Sequence, residues 1–297
     1  MRSKSVFTGS CCAIVTPFDK NGKVNFETLE KLVEYQITEG TDAICVCGTT
    51  GEAPTLADEE HLRVIDSVVK KVNGRVPVVA GTGSNDTSHA IYMSEEATRL
   101  GVDALLLVTP YYNKTTQRGL IRHYTAIADT LKIPAILYNV PGRTSVNIAP
   151  STLKVLADHP NIAAIKEASG NMAQVVEMMA LCENKIDFYS GNDDINIPIT
   201  AIGGKGAISV LANIAPAQTH RMLKLAMEGN LCEAVRMQFA ATDLINSLFC
   251  EVNPIPVKEG LCQMGFDVGI ARLPLCEMAP ENVERLRKSM QNYGLIK

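Results

Sequence analysis

The sequence predicts a closed (β/α)8 barrel followed by a C-terminal helical region. Short apolar segments alternate with longer amphipathic ones at intervals of roughly 20–33 residues, and eight such segments match the strand number of this barrel. Several of them, such as ALLLV at 104–108, are apolar throughout, which is typical of a parallel sheet buried on both faces. An open doubly wound sheet also alternates strands with helices, so alternation alone leaves that fold open.

The individual elements follow from this pattern. We predict strands at 12–16, 43–47, 76–80, 104–108, 135–139, 162–166, 187–190 and 207–211. Helices are predicted at 25–38, 58–72, 87–100 and 116–130, where Asp58, Glu59 and Glu60 make an acidic first turn and Asp86 is a candidate N-cap.

No strand pattern follows residue 212. Helices are predicted at 216–228, 231–249, 256–264 and 281–293. We therefore divide the chain into a barrel at 1–224 and a C-terminal helical region at 225–297. No linker rich in Ser, Gly or Pro separates the two, so we expect the helical region to pack on the barrel.

The composition excludes several classes of protein. Lys and Arg number 28 against 32 for Asp and Glu, a net charge of −4, and nucleic-acid-binding proteins usually carry a basic excess. No apolar stretch approaches the ~18 residues of a membrane span, and the first twenty residues do not have the pattern of a signal peptide. We expect a cytoplasmic protein with reduced thiols, no nucleic-acid partner and no membrane contact.

The sequence also argues against a metal site. The nine cysteines include the adjacent Cys11 and Cys12 and the C-x-C pair of Cys45 and Cys47, but no C-x-x-C or H-x-x-x-H spacing accompanies them. The five histidines have no ligand spacing either. We expect no metal and interpret the cysteines as small buried apolar side chains.

Polar residues follow five of the predicted strands. In a parallel barrel the active site is built at the carboxyl ends of the strands and in the loops that follow them. The segments there are GTTGE at 48–52, TPYYN at 109–113, YNVPGRT at 138–144, KEASG at 166–170 and SGNDD at 190–194. We expect their hydroxyl groups, a lysine and an arginine to converge on one rim.

Lys166 is the most informative of these residues. It follows the apolar segment 162–165, so the strand can point it into the barrel, where burial disfavours the ammonium and makes the neutral amine of a Schiff-base nucleophile accessible. Arg143 follows a rigid Pro-Gly turn and could bind a carboxylate through two hydrogen bonds. Thr49, Tyr112 and Tyr138 could relay protons. Each of the five could instead be an ordinary polar residue at a strand end or on the surface.

These motifs, with GAISVLAN at 206–213, resemble those of the dihydrodipicolinate synthase family in the same order and over nearly the whole chain. That family belongs to the class I aldolases of the N-acetylneuraminate lyase superfamily. The resemblance implies the (β/α)8 barrel and a Schiff-base condensation of pyruvate with L-aspartate 4-semialdehyde in the diaminopimelate route to lysine. It implies no cofactor, because the lysine is the electron sink.

The resemblance also assigns roles to residues. Lys166 is similar to the lysine that condenses with pyruvate, and Thr49, Tyr138 and Tyr112 match the proton relay. In the family the residue at the position of Tyr112 comes from the neighbouring subunit, which implies a homo-oligomer, commonly a dimer of dimers.

Four further residues match positions that contact substrate or line the pocket. Thr50 corresponds to a contact of the pyruvate carboxylate, and Arg143 to the arginine that binds the carboxylate of the semialdehyde. Gly191 and Ile208 match positions that line the pocket.

Two alternative functions remain open at this point. Sialate lyases lack the V-P-x-R-T context of Arg143 and favour Ser where this chain has Thr49, so an aldolase of sialate or of 2-keto-3-deoxy sugar acids is the second hypothesis. The third is an inactive barrel that binds a keto acid.

The resemblance also suggests a regulatory site, because some members are inhibited by lysine at a subunit interface. His61, Asn85 and Tyr111 match that site, whereas Asp58 stands in place of a His and His89 in place of a Glu. The missing Glu would remove a carboxylate partner for the ammonium of lysine. We predict weak or absent inhibition by lysine.

Overall fold

The computed structural model of the protein describes residues 5–297, so the first four residues of the predicted barrel domain lie outside it. Eight parallel strands pair in chain order and the last pairs with the first, which closes the barrel. The predicted (β/α)8 fold is confirmed and the open sheet is excluded. The strands are β1 (Gly9–Ala13), β2 (Ala43–Val46), β3 (Val78–Gly81), β4 (Ala104–Val108), β5 (Ala135–Asn139), β6 (Ile162–Glu167), β7 (Asp187–Ser190) and β8 (Gly206–Ser209).

Helices surround the barrel and extend past it. Those that follow the strands are α1 (Phe26–Thr38), α2 (Asp58–Val72), α3 (Thr87–Arg99), α4 (Gln117–Ala128), α5 (Pro141–Thr144), α6 (Pro150–Leu156), α7 (Met172–Cys182), α8 (Asn196–Ala201) and α9 (Pro216–Met227). The C-terminal helices are α10 (Leu231–Leu248), α11 (Ile255–Gln263) and α12 (Pro280–Tyr293). The predicted domain boundary at residue 225 falls inside α9, which packs against β1. We therefore propose that the division lies at the turn of Gly229 and Asn230.

The first strand begins and ends earlier than the apolar pattern predicts. Gly9 and Ser10 pair with β8 although neither is apolar. Beyond Ala13, the backbone N–H of Val15 donates to the side chain of Asn213 rather than to a neighbouring strand. Ile14 still donates from its backbone N–H to the carbonyl oxygen of Cys45 on β2, at 3.0 Å, so the strand hydrogen bonds stop there, before the predicted strand end at residue 16.

Two other strand ends depart from the prediction for local reasons. β3 begins only after Pro77, which has no N–H to donate to a ladder. β8 ends at Ser209 because the carboxylate of Asp193 accepts hydrogen bonds from the N–H groups of Val210 and Leu211, at 2.9 and 2.8 Å.

The strands separate two apolar layers. The inner layer fills the barrel and includes Ile136, Tyr138 and Ala164, whereas Ile165 packs outward against the helices. Because side chains alternate along a strand, Lys166 points inward like Ala164. The alternation thus decides which face of β6 carries its reactive group.

The cysteines are only partly as predicted. Five are buried, Cys11 and Cys45 in the inner layer among them, but Cys232, Cys262 and Cys276 are exposed. In residues 5–297 no three His, Cys, Asp or Glu side chains are grouped to hold a metal ion, and no helix there is long and apolar enough to cross a membrane.

Candidate active site

Lys166 lies at the carboxyl end of β6, in register with Tyr138 on β5 and Tyr189 on β7. Its Nζ atom is 4.3 Å from the centre of the Tyr138 ring, and only 6% of the residue is exposed. The sequence left open whether this lysine reaches into solvent. The structure places its amine inside the barrel, next to a phenol ring.

Gly191, directly after β7, borders the same lysine. A Cβ at this position would lie 3.0 Å from Cε of Lys166 and 2.8 Å from Cβ of Ala168, closer than such atoms pack. The backbone N–H of Gly191 donates to the carbonyl of Glu167 at 2.8 Å, which holds the two strand ends together. A larger residue at this position would have to displace Lys166 or Ala168.

A small cavity of about 60 Å3 surrounds the end of Lys166. Its predicted members come from the ends of β5 and β6 and from the loops after β2, β5 and β7. They are Thr49, Thr50, Tyr138, Arg143, Lys166 and Gly191. The structure therefore brings together six residues that are spread over nearly half of the sequence.

Ile208 is placed differently from these six residues. It is fully buried in the inner layer, where it pairs with Cys11, and Val210 rather than Ile208 lines the cavity. Because β8 ends one residue after Ile208, that side chain lies below the rim.

The thiol of Cys45 also lines the small cavity. Its burial raises the pKa of Cys45 to about 11, although the charge of Lys166 acts in the opposite direction. At neutral pH the group is therefore a neutral thiol. It adds no anion beside the lysine.

A larger cavity of about 500 Å3 adjoins the small one, and Thr49, Tyr138 and Arg143 line both. This volume is in the range of small-molecule sites. Arg143 lies at the junction, and its guanidinium donates to the carbonyl oxygen of Asn253 at 3.4 Å. The two cavities therefore share part of their walls, and Lys166 lines only the small one.

Three of the four candidate regulatory residues line the larger cavity, namely His61, His89 and Tyr111. His89 Nε2 is 3.0 Å from the carboxylate of Asp58, and His61 Nε2 is 2.9 Å from the carbonyl oxygen of Gly81. Burial lowers the pKa of His61, so its imidazole is neutral at neutral pH.

Asn85 is not brought to that cavity. It lines a neighbouring groove, where its carbonyl oxygen accepts a hydrogen bond from the side chain of Asn113 at 2.9 Å. The predicted regulatory set is therefore divided between two depressions of the surface.

Tyr112 is 92% exposed and is not among the residues that line either cavity. Its backbone has a φ of +66°, which is uncommon for a residue other than glycine. Within one chain, Thr49 and Tyr138 are the members of the predicted relay that reach the lysine.

The prediction from sequence missed the contribution of the C-terminal region. Phe249 and Asn253 line the small cavity, and the side-chain N–H of Asn253 donates to the hydroxyl of Thr50 at 3.0 Å. Asn253 Oδ1 is buried and has no hydrogen-bond partner among residues 5–297. Neither residue belongs to a strand-end segment of the barrel, so the signal that located the other residues could not locate these.

Asp193, in the SGNDD segment, does not line the small cavity, and its hydrogen bonds serve the structure of the neighbouring loop. Burial raises its pKa, whereas hydrogen bonds from Asn196, Ser209, Val210 and Leu211 act against that shift. These bonds tie the loop after β7 to the end of β8.

A buried amine at the end of the sixth strand, in a cavity lined by hydroxyl groups and a guanidinium, is the arrangement of a barrel aldolase that acts through a Schiff base. The model of the dihydrodipicolinate synthetase family matches residues 6–293. The chain belongs to this family, and it is a lyase of the class I aldolase type.

The similarity to individual members extends over the full chain. This chain is 53% identical over 293 residues to the 4-hydroxy-tetrahydrodipicolinate synthase of Acetivibrio thermocellus, and the alignment covers 99% of each chain. The enzyme of that name from Clostridium tetani is 54% identical over 294 residues, 99% of this chain and 100% of its own. The crystal structure of a dihydrodipicolinate synthase from Acinetobacter baumannii, complexed with pyruvate, has a TM-score of 0.95 at 45% identity and covers 97% of this chain and 99% of its own. The family predicted from the sequence motifs is confirmed.

Proposed function

We propose that the protein is a 4-hydroxy-tetrahydrodipicolinate synthase, which condenses pyruvate with L-aspartate 4-semialdehyde in the diaminopimelate route to lysine. The observation that carries this proposal is the buried amine of Lys166, 4.3 Å from the ring of Tyr138 and inside a cavity of about 60 Å3. A cavity of this size suits a three-carbon acid and leaves the larger one for the second substrate.

The first step forms an imine. The Nζ atom of Lys166 attacks the keto carbon of pyruvate, and the keto oxygen leaves as water after taking up protons. Tyr138 and Thr49 carry those protons through their hydroxyl groups, because both line the cavity at the lysine. Thr50 binds the pyruvate carboxylate from the neighbouring position of the loop.

The second step forms the carbon–carbon bond. The imine withdraws electrons from the adjacent methyl group, so a proton is lost and an enamine forms. The enamine carbon attacks the aldehyde carbon of the semialdehyde, whose carboxylate Arg143 binds through its guanidinium. Because both acids are held in place, much of the entropy cost of the reaction is met on binding.

The third step releases the product. The amine that came with the semialdehyde attacks the imine carbon, which closes the ring and frees Lys166 as an amine. The lysine itself accepts and returns the electron pair. The proposed sequence therefore includes no metal or organic cofactor.

We also propose that the active enzyme is a homo-oligomer in which Tyr112 completes the relay of a neighbouring subunit, assembled as a dimer of dimers. The exposure of Tyr112, at 92%, supports this arrangement, since a large aromatic side chain at that exposure is available to a partner. A cytoplasmic location is proposed from the nine free cysteines, which are typical of a reducing compartment.

The decisive experiment traps the imine. The protein is incubated with pyruvate and borohydride and analysed by mass spectrometry after proteolysis. We expect one reduced adduct on Lys166, no adduct in Lys166→Met, and an unchanged adduct in the control Lys132→Met, which removes an exposed lysine. Absence of the adduct in the native protein would contradict the proposal.

A parallel assay separates the synthase from the sugar-acid aldolase. Product formation from pyruvate and the semialdehyde is measured beside cleavage of sialate. The proposal requires the first activity, and sialate cleavage without it would favour the alternative.

A further inference from the structure

The GTTGE loop carries Thr49 and Thr50 and ends in a buried acid. The side chain of Glu52 is only 1% exposed, and its backbone has a φ of +55°. Cys47, just before the loop, also has a positive φ, of +53°. Left-handed residues other than glycine persist where their surroundings fix them, so both ends of this loop are held against local preference.

The C-terminal region supplies what fixes the Glu52 end. Lys258 on α11 donates from Nζ to one carboxylate oxygen at 2.7 Å, and the backbone N–H of Arg272 donates to the other at 2.8 Å. The Lys258 side chain is only 3% exposed, so the pair is removed from water. Lys258 Nζ and the Arg272 guanidinium carbon each lie 4.2 Å from the centre of the Phe18 ring.

Other contacts fix the middle of the loop. The hydroxyl of Thr16 donates to the carbonyl oxygen of Gly51 at 2.6 Å, and Asn253 donates to Thr50 at 3.0 Å. Asn253 and Lys258 both belong to the segment around the start of α11. One short part of the C-terminal region therefore holds the loop at two points.

A buried ion pair is a poor source of stability alone, because removing two charges from water offsets much of their attraction. Apolar residues of similar volume are often as stable at such sites. The pair does, however, fix the orientation of the Glu52 side chain, because each of its carboxylate oxygens accepts a hydrogen bond from a different donor.

From these contacts we infer that Glu52 and Lys258 are positioning residues, which orient Thr49 and Thr50 toward the imine formed on Lys166. The inference rests on the proposed function. It gives the C-terminal region a part in the reaction, since the lysine of the pair lies outside the barrel and the threonines lie within it.

The experiment compares Lys258→Met with the double variant Glu52→Gln and Lys258→Met. The single change leaves a buried unpaired carboxylate, so it lowers both stability and activity. The double change removes both charges and keeps an acceptor for Arg272, so we expect thermal stability to recover. We expect kcat/KM for pyruvate to remain about 100-fold below the native value, with a raised KM, because the loop is no longer oriented.

Imine formation is measured separately, as the fraction of Lys166 reduced by borohydride at each pyruvate concentration. Half-saturation should move to a higher concentration in the double variant. The matched control is Asp42→Asn, at the opposite end of the barrel, which removes the charge and one carboxylate oxygen of a residue whose Oδ2 atom is 2.8 Å from both the backbone nitrogen of Ser10 and Nδ1 of His220. It should lower stability and leave half-saturation unchanged.

A double variant with native kinetic constants would overturn the inference. The stability of the double variant need not recover for the test to work, because both it and Asp42→Asn can be assayed well below their unfolding temperatures. A KM for pyruvate that is raised only in the double variant supports a positioning role. An unchanged KM contradicts that role. Failure of the native protein to form an adduct on Lys166 would instead contradict the proposed function.

Discussion

Gly191 and Lys166 are packed so closely that the position of the amine depends on a missing side chain. A Cβ on Gly191 would lie 3.0 Å from Cε and 3.1 Å from Cγ of the lysine. The loop after β7 therefore acts as a wall along the methylene chain of Lys166. It limits where the amine can meet a ketone.

Gly191→Ala tests this relationship. We expect kcat/KM for pyruvate to fall about 100-fold, because the added methyl group must displace Lys166 or Ala168 from its place. Steady-state kinetics and borohydride trapping measure the loss. Gly142→Ala is the control, since a Cβ there meets nothing within 4 Å. Native activity in Gly191→Ala would show that the wall has no effect on the reaction.

Replacement of Arg143 should separate the two substrates. Arg143→Ala removes the proposed bidentate partner of the semialdehyde carboxylate at the junction of the cavities, so kcat/KM for the semialdehyde should fall about 10- to 100-fold. Trapping of pyruvate on Lys166 should be nearly unchanged. Arg143→Lys keeps the charge but loses the planar fork and should recover only part of the activity. Equal loss of both readouts would contradict the assigned role.

Mixed oligomers test whether Tyr112 acts across a subunit interface. Lys166→Met and Tyr112→Phe are each expected to be nearly inactive alone. After the two are unfolded together and refolded, half of the dimers are hybrids with one intact site, so activity should return to about a quarter of the native value. No recovery would place Tyr112 in the site of its own chain, and native activity of Tyr112→Phe alone would place it outside the mechanism.

We expect the response to lysine to depend on His89 in the larger cavity. We expect weak or no inhibition of the native protein in steady-state assays at low millimolar lysine, because an imidazole paired with Asp58 replaces a free carboxylate. His89→Glu should increase the inhibition. Full inhibition of the native protein, or no change in the variant, would contradict this prediction.

Two buried histidines should make stability depend on pH. Burial lowers the pKa values of His61 and His123 below the ordinary 6.5. The unfolded chain therefore binds more protons than the folded one below about pH 6.5, and the free energy of unfolding falls as the pH decreases through that window. Urea unfolding between pH 8 and 5 measures this slope. His61→Gln and His123→Gln should each reduce it, and an unchanged slope in both would assign the effect to other groups.

The barrel and most of the polar residues at its rim could be predicted from the sequence, because both follow from the local pattern of apolar and polar residues. Each strand is a short apolar segment, and the residues after it lie at one end of the barrel once the strands are parallel. Lys166, Thr49, Thr50, Tyr138 and Arg143 are all within such segments. Their convergence needs only the strand order.

Long-range contacts were beyond that argument. Asn253 and Lys258 lie in a helical region with no strand ends, yet they bond to Thr50 and Glu52, about 200 residues earlier. No spacing in a sequence encodes such a pair. Burial of Glu52 was also invisible, since a Glu in a loop is usually exposed.

By itself, then, the sequence determined the number and order of the strands and the chemical groups at their ends, since periodicity and residue type are local properties. Only the tertiary structure decided that Lys166 faces a cavity, that Gly191 must lack a side chain and that Asn85 lies apart from His61. Those facts depend on distances between strands and helices that are far apart in the chain, which only the packed barrel fixes.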